Sequence, residues 1–114
     1  MPGAVEAYPE VTDSLLQEIV RRILAVGQPL KIVLFGSRAR GDARPDSDLD
    51  LFIVEESDLP RHRRSPRYYD VLWNIFPEKD IVVWAPAEIE AWAAVPNAFP
   101  TVALREGKVL YVRP

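Results

Sequence analysis

The sequence predicts an α+β fold with α/β-like alternation: a mixed β-sheet with helices packed on it, in one domain over residues 1–114. Three observations predict this fold. Short apolar runs rich in β-branched and aromatic residues alternate with longer runs whose apolar residues recur at helical spacing. The 114 residues are 48% apolar, which suits a single globular core. Prolines and glycines separate the runs and supply the turns.

The first predicted helix runs from residue 12 to 26 and follows a loose lead over residues 1–11. Apolar residues recur along the helix every three or four positions, and Thr12 or Asp13 can cap its start. Gly27 then ends it. We therefore expect an amphipathic helix that packs one face on the sheet.

Two strands are predicted on either side of a glycine–serine turn. Residues 31–35 form a buried strand, and a short helix follows over residues 37–41. The second strand covers residues 48–54. Its alternation places Asp48 and Asp50 on one face and the aliphatic residues on the other.

A turn over residues 55–60 follows the second strand and leads to a basic cluster, Arg61–Arg67. We interpret it as a solvated helix start, and the alternative is a surface for a polyanion or an acidic partner. It leads into a helix whose apolar face includes Tyr68, with Tyr69 at the rim. His62 is interpreted as a surface residue.

In the last third of the chain, the sequence pattern predicts four elements. They are a strand over residues 80–84, a helix over 87–95, a helical turn over 101–105 and a strand over 108–112. The tryptophans are expected to fill the core or a partner interface. They are Trp73, Trp84 and Trp92.

Charge and composition exclude several classes of protein. A net charge of −3 argues against a general nucleic-acid binder. The absence of cysteine excludes disulfides and thiolate metal sites. No signal peptide and no apolar stretch of membrane-spanning length is recognised, so we expect a cytoplasmic protein without membrane contact.

The most informative stretch joins a glycine–serine turn to an aspartate pair. From Gly36 to Leu51 it reads GSRARGDARPDSDLDL, with ten residues between Ser37 and Asp48. Gly36 permits a sharp turn and close approach of a ligand, and the amides after Ser37 can face an anion. Two carboxylates this close repel each other unless a cation lies between them, and Mg²⁺ prefers such oxygen ligands beside phosphates. The stretch therefore predicts a phosphate turn beside a magnesium site.

These same residues resemble the signature of the DNA polymerase β-type nucleotidyltransferase superfamily. The stretch RARGDARPDSDLDL is most similar to the minimal nucleotidyltransferase (MNT) proteins, the antitoxin partners of HEPN-domain toxins. Residues 105–111 also resemble the C-terminal hairpin of MNT proteins. The resemblance spans about residues 12–112 and implies the nucleotidyltransferase fold.

The resemblance also implies a site. A third carboxylate is expected on a neighbouring strand, and Asp80 opens an apolar run there. Asp48, Asp50 and Asp80 would then hold two Mg²⁺ ions, with ATP as the nucleotide substrate. Asp80 would also orient or deprotonate the acceptor hydroxyl. Gly36, Ser37 and Arg38 would contact the triphosphate.

Size decides the expected acceptor. Larger relatives add a second domain that binds the acceptor, and this chain has no room for one. The resemblance implies that the acceptor is a tyrosine hydroxyl on a HEPN-domain toxin, modified with AMP from ATP in a homo- or hetero-oligomer. Two alternatives stay open: an antitoxin that masks its partner by contact, and a nucleotidyltransferase with a small-molecule acceptor.

Overall fold

Helices and strands alternate along residues 10–114, the part of the chain that the computed structural model describes. In chain order the elements are α1 (Asp13–Val26), β1 (Lys31–Phe35), α2 (Ser37–Arg40), β2 (Leu49–Val54), α3 (Pro66–Val71), β3 (Lys79–Trp84), α4 (Pro86–Trp92), α5 (Phe99–Glu106) and β4 (Lys108–Val112). A 3-10 helix, Arg61–Arg63, precedes α3. The predicted loose lead falls almost wholly on residues 1–9, outside the described part.

The described strands form one mixed sheet in the order β3-β2-β1-β4. β1 pairs antiparallel with both β2 and β4, whereas β2 and β3 run parallel. α1 and α3 pack on one face of the sheet, and α5 covers the other. The predicted mixed sheet with packed helices is confirmed. Because side chains alternate along β2, its odd-numbered residues face α1 and its even-numbered residues face α5.

α1 ends where the sequence predicts and begins one residue later than predicted, at Asp13, with Thr12 as its cap. The Thr12 hydroxyl accepts a hydrogen bond from the Leu15 amide at 3.1 Å, which satisfies one free donor of the first turn. The buried face of the helix consists of Leu16, Ile19 and Ile23. Gly27 follows the helix and lies against the Tyr68 hydroxyl. A Cβ at this position would overlap that hydroxyl.

The predicted start of the second strand is wrong by one residue, and the difference changes the site. β2 begins at Leu49, so Asp48 lies just before the strand instead of on its face with Asp50. The last pair between β1 and β2 joins Phe35 to Asp50. Because the chain turns away at Gly36, β1 offers no residue to pair with residue 48. The pairing of β1 with β2 therefore ends at Asp50.

Other boundaries shift by a few residues. α4 ends at Trp92 instead of 95, and α5 begins at Phe99 instead of 101. α3 ends at Val71, although Leu72 beyond it is still fully buried. The prolines explain the starts, because Pro86 and Pro100 occupy first-turn positions where no amide donor is needed.

The interpretation of the basic cluster as a solvated helix start is wrong for Arg64. Its side chain is only 7% exposed, and its guanidinium donates to Glu88 Oε1 at 2.7 Å and to the Leu59 carbonyl at 2.9 Å. Hydrogen bonds from Arg64 lower the pKa of Glu88 to about 2. Arg61 stacks 3.8 Å above the Trp84 ring. These contacts fasten the segment before α3 to β3 and α4.

A buried carboxylate at the end of β2, Glu55, joins α3 to the segment between α1 and β1. Glu55 is 5% exposed and accepts hydrogen bonds from the Tyr68 hydroxyl and from Arg67, each at 2.6 Å. The Gln28 amide donates to its other oxygen at 2.8 Å. Burial, with the hydrogen bond to Glu55, raises the pKa of Tyr68 above its ordinary value. Tyr68 is the core tyrosine and Tyr69 the more exposed one, as predicted.

We expect Tyr68→Phe to lower the free energy of unfolding by about 1.5 to 3 kcal/mol, because it removes a buried hydrogen bond to a charged acceptor. Urea denaturation measures the loss. Tyr111→Phe, which removes a hydroxyl on β4 outside this network, serves as the control. Equal stability of the two variants would show that the hydrogen bond from Tyr68 to Glu55 contributes nothing.

The tryptophans divide between core and surface. Trp84 is 7% exposed and stacks on Phe52, whereas Trp92 is 46% and Trp73 76% exposed. Large exposed aromatic residues are typical of contact surfaces. Within residues 10–114, no helix is long and apolar enough to cross a membrane.

Candidate active site

The turn after β1 requires glycine for two separate reasons. Gly36 has φ +74° and ψ −156°, a backbone region that side chains exclude. A Cβ there would also overlap the Asp50 carboxylate at Oδ2. The missing side chain therefore lets the turn lie directly against Asp50, so the two halves of the sequence motif meet in space.

α2 follows this turn at once and begins with Ser37. The carbonyl of Gly36 accepts from the amides of Ala39 and Arg40 at 3.1 Å, which closes the first turn. The first amides of a helix have no partner within it and can therefore face an anion. With four residues, α2 offers individual amides instead of a strong helix dipole.

Sheet register brings the predicted carboxylates together. Asp50 on β2 is the parallel partner of Asp80 on β3, so the two side chains point to the same face, on strands about 4.8 Å apart. Asp48 and Asp80 are exposed, and Asp50 is partly buried. The face that Asp50 and Asp80 share is the one that carries Phe52 and α5.

The charges of the neighbouring carboxylates act on Asp50. Burial raises the pKa of Asp50, and the charges of Asp80 and then Asp48 raise it further, while Arg40 opposes the shift. Repulsion of this kind is relieved when a cation binds between carboxylates. Repulsion among the carboxylates therefore destabilises the protein without a cation and favours the binding of one.

Within residues 10–114, no three Asp, Glu, His or Cys side chains are already arranged as a metal cage. A complete cage is unnecessary for Mg²⁺, which is commonly held by one or two carboxylates together with substrate phosphates. The oxygen donors of Asp48, Asp50 and Asp80 fit that chemistry, and the phosphates of a substrate bound at the turn beside Asp50 would supply the remaining ligands.

Arg38, predicted to contact the triphosphate, binds the loop between the two halves of the motif. Its Nη2 donates to the carbonyls of Ser47 at 2.8 Å and Pro45 at 3.1 Å, and its Nε donates to Ser47 at 3.2 Å. Ser47 immediately precedes Asp48. Arg38 therefore ties α2 to the segment that carries the first carboxylate, a contact that the sequence pattern alone does not reveal.

We expect Arg38→Ala to lower nucleotidyl transfer about 10- to 100-fold by releasing the loop before Asp48, because small misplacements of a reacting group cost that much. Hydrogen exchange of the amides at residues 42–48 should accelerate in parallel. Arg44→Ala, which removes the same charge from the loop itself, is the control. Unchanged exchange with weaker nucleotide binding would instead assign Arg38 to the triphosphate.

Two aromatic residues near the site, Phe35 and Phe99, are not among the site residues that the sequence predicts. The Phe99 ring lies 5.4 Å from that of Phe35, edge to face, and 5.8 Å from Phe52. Phe35 is the register partner of Asp50. An apolar wall from α5 thus stands beside the carboxylates. Its signal in the sequence is weak, because Phe99 belongs to no recognised motif and begins a short proline-containing helix.

The family model described as Nucleotidyltransferase domain matches residues 14–100 of this chain. A protein of Methanocaldococcus jannaschii, named "Putative protein adenylyltransferase", is 33% identical over 87 residues, which cover 75% of this chain and 81% of that protein.

Two solved structures share the fold. One is the crystal structure of a "putative nucleotidyltransferase" from Sulfolobus solfataricus, with a TM-score of 0.62 and 22% identity over 89% of this chain and 80% of that one. The other is titled a toxin-antitoxin with AMP-PNP, with a TM-score of 0.62 and 19% identity over 86% and 73% of the two chains.

Proposed function

The chain belongs to the nucleotidyltransferase domain family, and on this premise we propose that it is a Mg²⁺-dependent protein adenylyltransferase that acts as an antitoxin. It transfers AMP from ATP to a tyrosine hydroxyl of a HEPN-domain toxin and thereby silences the toxin's RNase activity. The single observation that carries the proposal is the contact between the Gly36 turn and Asp50, with Asp80 in register beside it.

The residues of the site suit distinct roles. The amides that follow Gly36 bind the terminal phosphates, and Asp48 and Asp50 would hold a Mg²⁺ ion, which would supply charge stabilisation beside them. The exposed carboxylate of Asp80 orients the acceptor hydroxyl and accepts its proton. The oxygen of the hydroxyl bonds to the α-phosphorus as the bond to the leaving pyrophosphate breaks. Bound Mg²⁺ would offset the negative charge that develops on the phosphoryl oxygens.

A protein acceptor is supported from two sides. The elements of residues 10–114 are all used in building the sheet and its helix layers, so the described part contains no separate acceptor domain. The relative from M. jannaschii is named for protein adenylylation, and a structure with the same fold is titled a toxin-antitoxin complex. The HEPN identity of the toxin and the tyrosine acceptor rest on the resemblance of the sequence motif to MNT proteins.

The test incubates the purified protein with Mg²⁺ and α-labelled ATP, with and without the product of its genomic neighbour. We expect label on the neighbour, at tyrosine by mass spectrometry, and none with the Asp50→Ala variant. γ-Labelled ATP is the control and should leave no label. The absence of label with every metal and nucleotide tried would refute the enzyme proposal.

A contact antitoxin is the second candidate, favoured by the exposure of Trp73, which is 76% exposed. In that case neutralisation of the toxin survives the combined Asp48→Ala and Asp50→Ala changes and is lost with Trp73→Ala. A catalytic antitoxin gives the opposite pattern for the two aspartates. Growth of cells that express the toxin with each variant separates the two functions.

A further inference from the structure

The Tyr69 hydroxyl links α3 to β3 at the position of the third carboxylate. It accepts a hydrogen bond from the backbone amide of Ile81 at 2.8 Å. Ile81 directly follows Asp80, so this bond is made to the peptide group that joins the two residues. Because the atoms of a peptide group lie in one plane from one Cα to the next, holding its nitrogen also restricts the Cα of Asp80.

The amide that Tyr69 binds lies on the free edge of the sheet. In the described sheet, β3 is an edge strand and pairs only with β2. The carbonyl of Glu78 accepts a hydrogen bond from the Leu49 amide at 2.8 Å, so it faces β2. The backbone polar groups of successive residues in a strand point to opposite edges, so Asp80 faces β2 as well and Ile81 faces away from it. Tyr69 therefore supplies the partner that β2 cannot, near the end of an edge strand, where pairing is weakest.

Tyr69 stands on a firm support, whereas the carboxylate of Asp80 does not. The preceding residue of α3, Tyr68, is fully buried and donates to the Glu55 carboxylate at 2.6 Å. Tyr69 itself is 37% exposed, so most of its surface packs against the protein. Asp80 is exposed. Because few contacts restrain an exposed side chain, the position of this carboxylate depends mainly on the backbone that carries it.

We propose that Tyr69 is a positioning residue for nucleotidyl transfer, which acts by fixing the backbone of Asp80. This inference rests on the proposed function, in which Asp80 accepts the proton of the acceptor hydroxyl. A general base must lie within hydrogen-bond reach of that proton, and a displacement of about 1 Å can lower the rate by on the order of 100-fold. Tyr69 contacts neither the nucleotide nor the acceptor in this role. Its hydroxyl therefore affects the rate of the chemical step and not the affinity for ATP.

The test compares Tyr69→Phe, which removes only the hydroxyl, with Tyr68→Phe on the same helix. Transfer from α-labelled ATP to the product of the neighbouring gene is followed in single turnovers with Mg²⁺, so that product release does not mask the chemical step. We expect Tyr69→Phe to lower the rate at saturating ATP about 10-fold and to leave the ATP concentration for half-maximal rate unchanged. Tyr68→Phe should transfer at the wild-type rate, although it loses a stronger hydrogen bond to a charged acceptor.

Two further measurements separate positioning from general stability. Hydrogen exchange of the Ile81 amide should accelerate in Tyr69→Phe and stay unchanged in Tyr68→Phe, because only the first variant removes the acceptor of that amide. A double-mutant cycle then places the effect. In an Asp80→Asn background the loss caused by Tyr69→Phe should disappear, since Tyr69 acts through Asp80.

Several results would overturn the role of Tyr69 and leave the proposed function standing. They are a wild-type rate in Tyr69→Phe, a weakened affinity for ATP, unchanged exchange at Ile81, and a loss of equal size in the Asp80→Asn background. Equally slow transfer by Tyr68→Phe would also overturn it, because destabilisation of α3 would then explain both variants. If the wild-type protein labels no acceptor while the Ile81 amide is still protected, the proposed function falls and the positioning role falls with it.

Discussion

Replacing Asp50 by asparagine is expected to lower nucleotidyl transfer by on the order of 10³-fold while making the protein more stable. The loss follows from the position of this carboxylate between the phosphate turn and Asp80. The gain in stability follows because burial and the charges of Asp80 and Asp48 disfavour the ionised form of Asp50, which raises its pKa in the folded protein. A neutral amide of the same shape removes that repulsion.

The two effects are measured separately. Transfer is followed with α-labelled ATP, and thermal unfolding is recorded with EDTA present so that no cation compensates the repulsion. Asp46→Asn, the same change in the exposed loop before Ser47, is the matched control and should affect neither quantity. Near-normal transfer by Asp50→Asn would remove this residue from the site, and a lower unfolding temperature would refute the electrostatic argument.

Replacing Gly36 by alanine should abolish transfer and destabilise the fold by about 1 to 3 kcal/mol. The backbone there has φ +74° and ψ −156°, and the new Cβ would overlap the Asp50 carboxylate. The strain lowers stability, and displacement of Asp50 lowers activity. Urea denaturation and the transfer assay measure the two losses.

The Gly41→Ala variant is the matched control for this prediction. Gly41 also has a positive φ, +87°, but a Cβ there meets no atom within 4 Å. Gly41→Ala therefore introduces backbone strain at the other end of α2 without touching Asp50. It should lose stability yet retain most of its transfer activity. Equal loss of activity in both variants would mean that strain in α2, and not the contact with Asp50, explains the effect.

The sequence predicted local features well and long-range pairings poorly. β1 and β4 have the predicted bounds, and α1 begins one residue later than predicted, because periodicity and capping are encoded within each segment. Asp80 could be predicted as a partner of Asp50 only through family resemblance, since the two are 30 positions apart and meet through strand register. No composition rule distinguishes the buried Arg64 from its solvated neighbours, because its partner Glu88 lies on a later helix.

Arg38 shows that contacts also go unpredicted within the most informative stretch, from Gly36 to Leu51. Positive charge near a phosphate turn predicts an anion ligand, and the resemblance supported that role. The structure instead directs the guanidinium to the carbonyls of Ser47 and Pro45. Backbone carbonyls have no signature in a sequence, so contacts with them become visible only once the loop has a conformation.

The parallel pairing of β2 with β3 affects the order in which the three carboxylates come together during synthesis on the ribosome. The turn and the first two aspartates lie close together in the chain, whereas Asp80 joins them only after the crossover over residues 55–78 has closed. Pairings between distant segments form later and more slowly than local ones. A nascent or truncated chain that ends before β3 would therefore lack the third carboxylate. We therefore expect activity at this candidate site only in chains in which β3 is present and paired with β2.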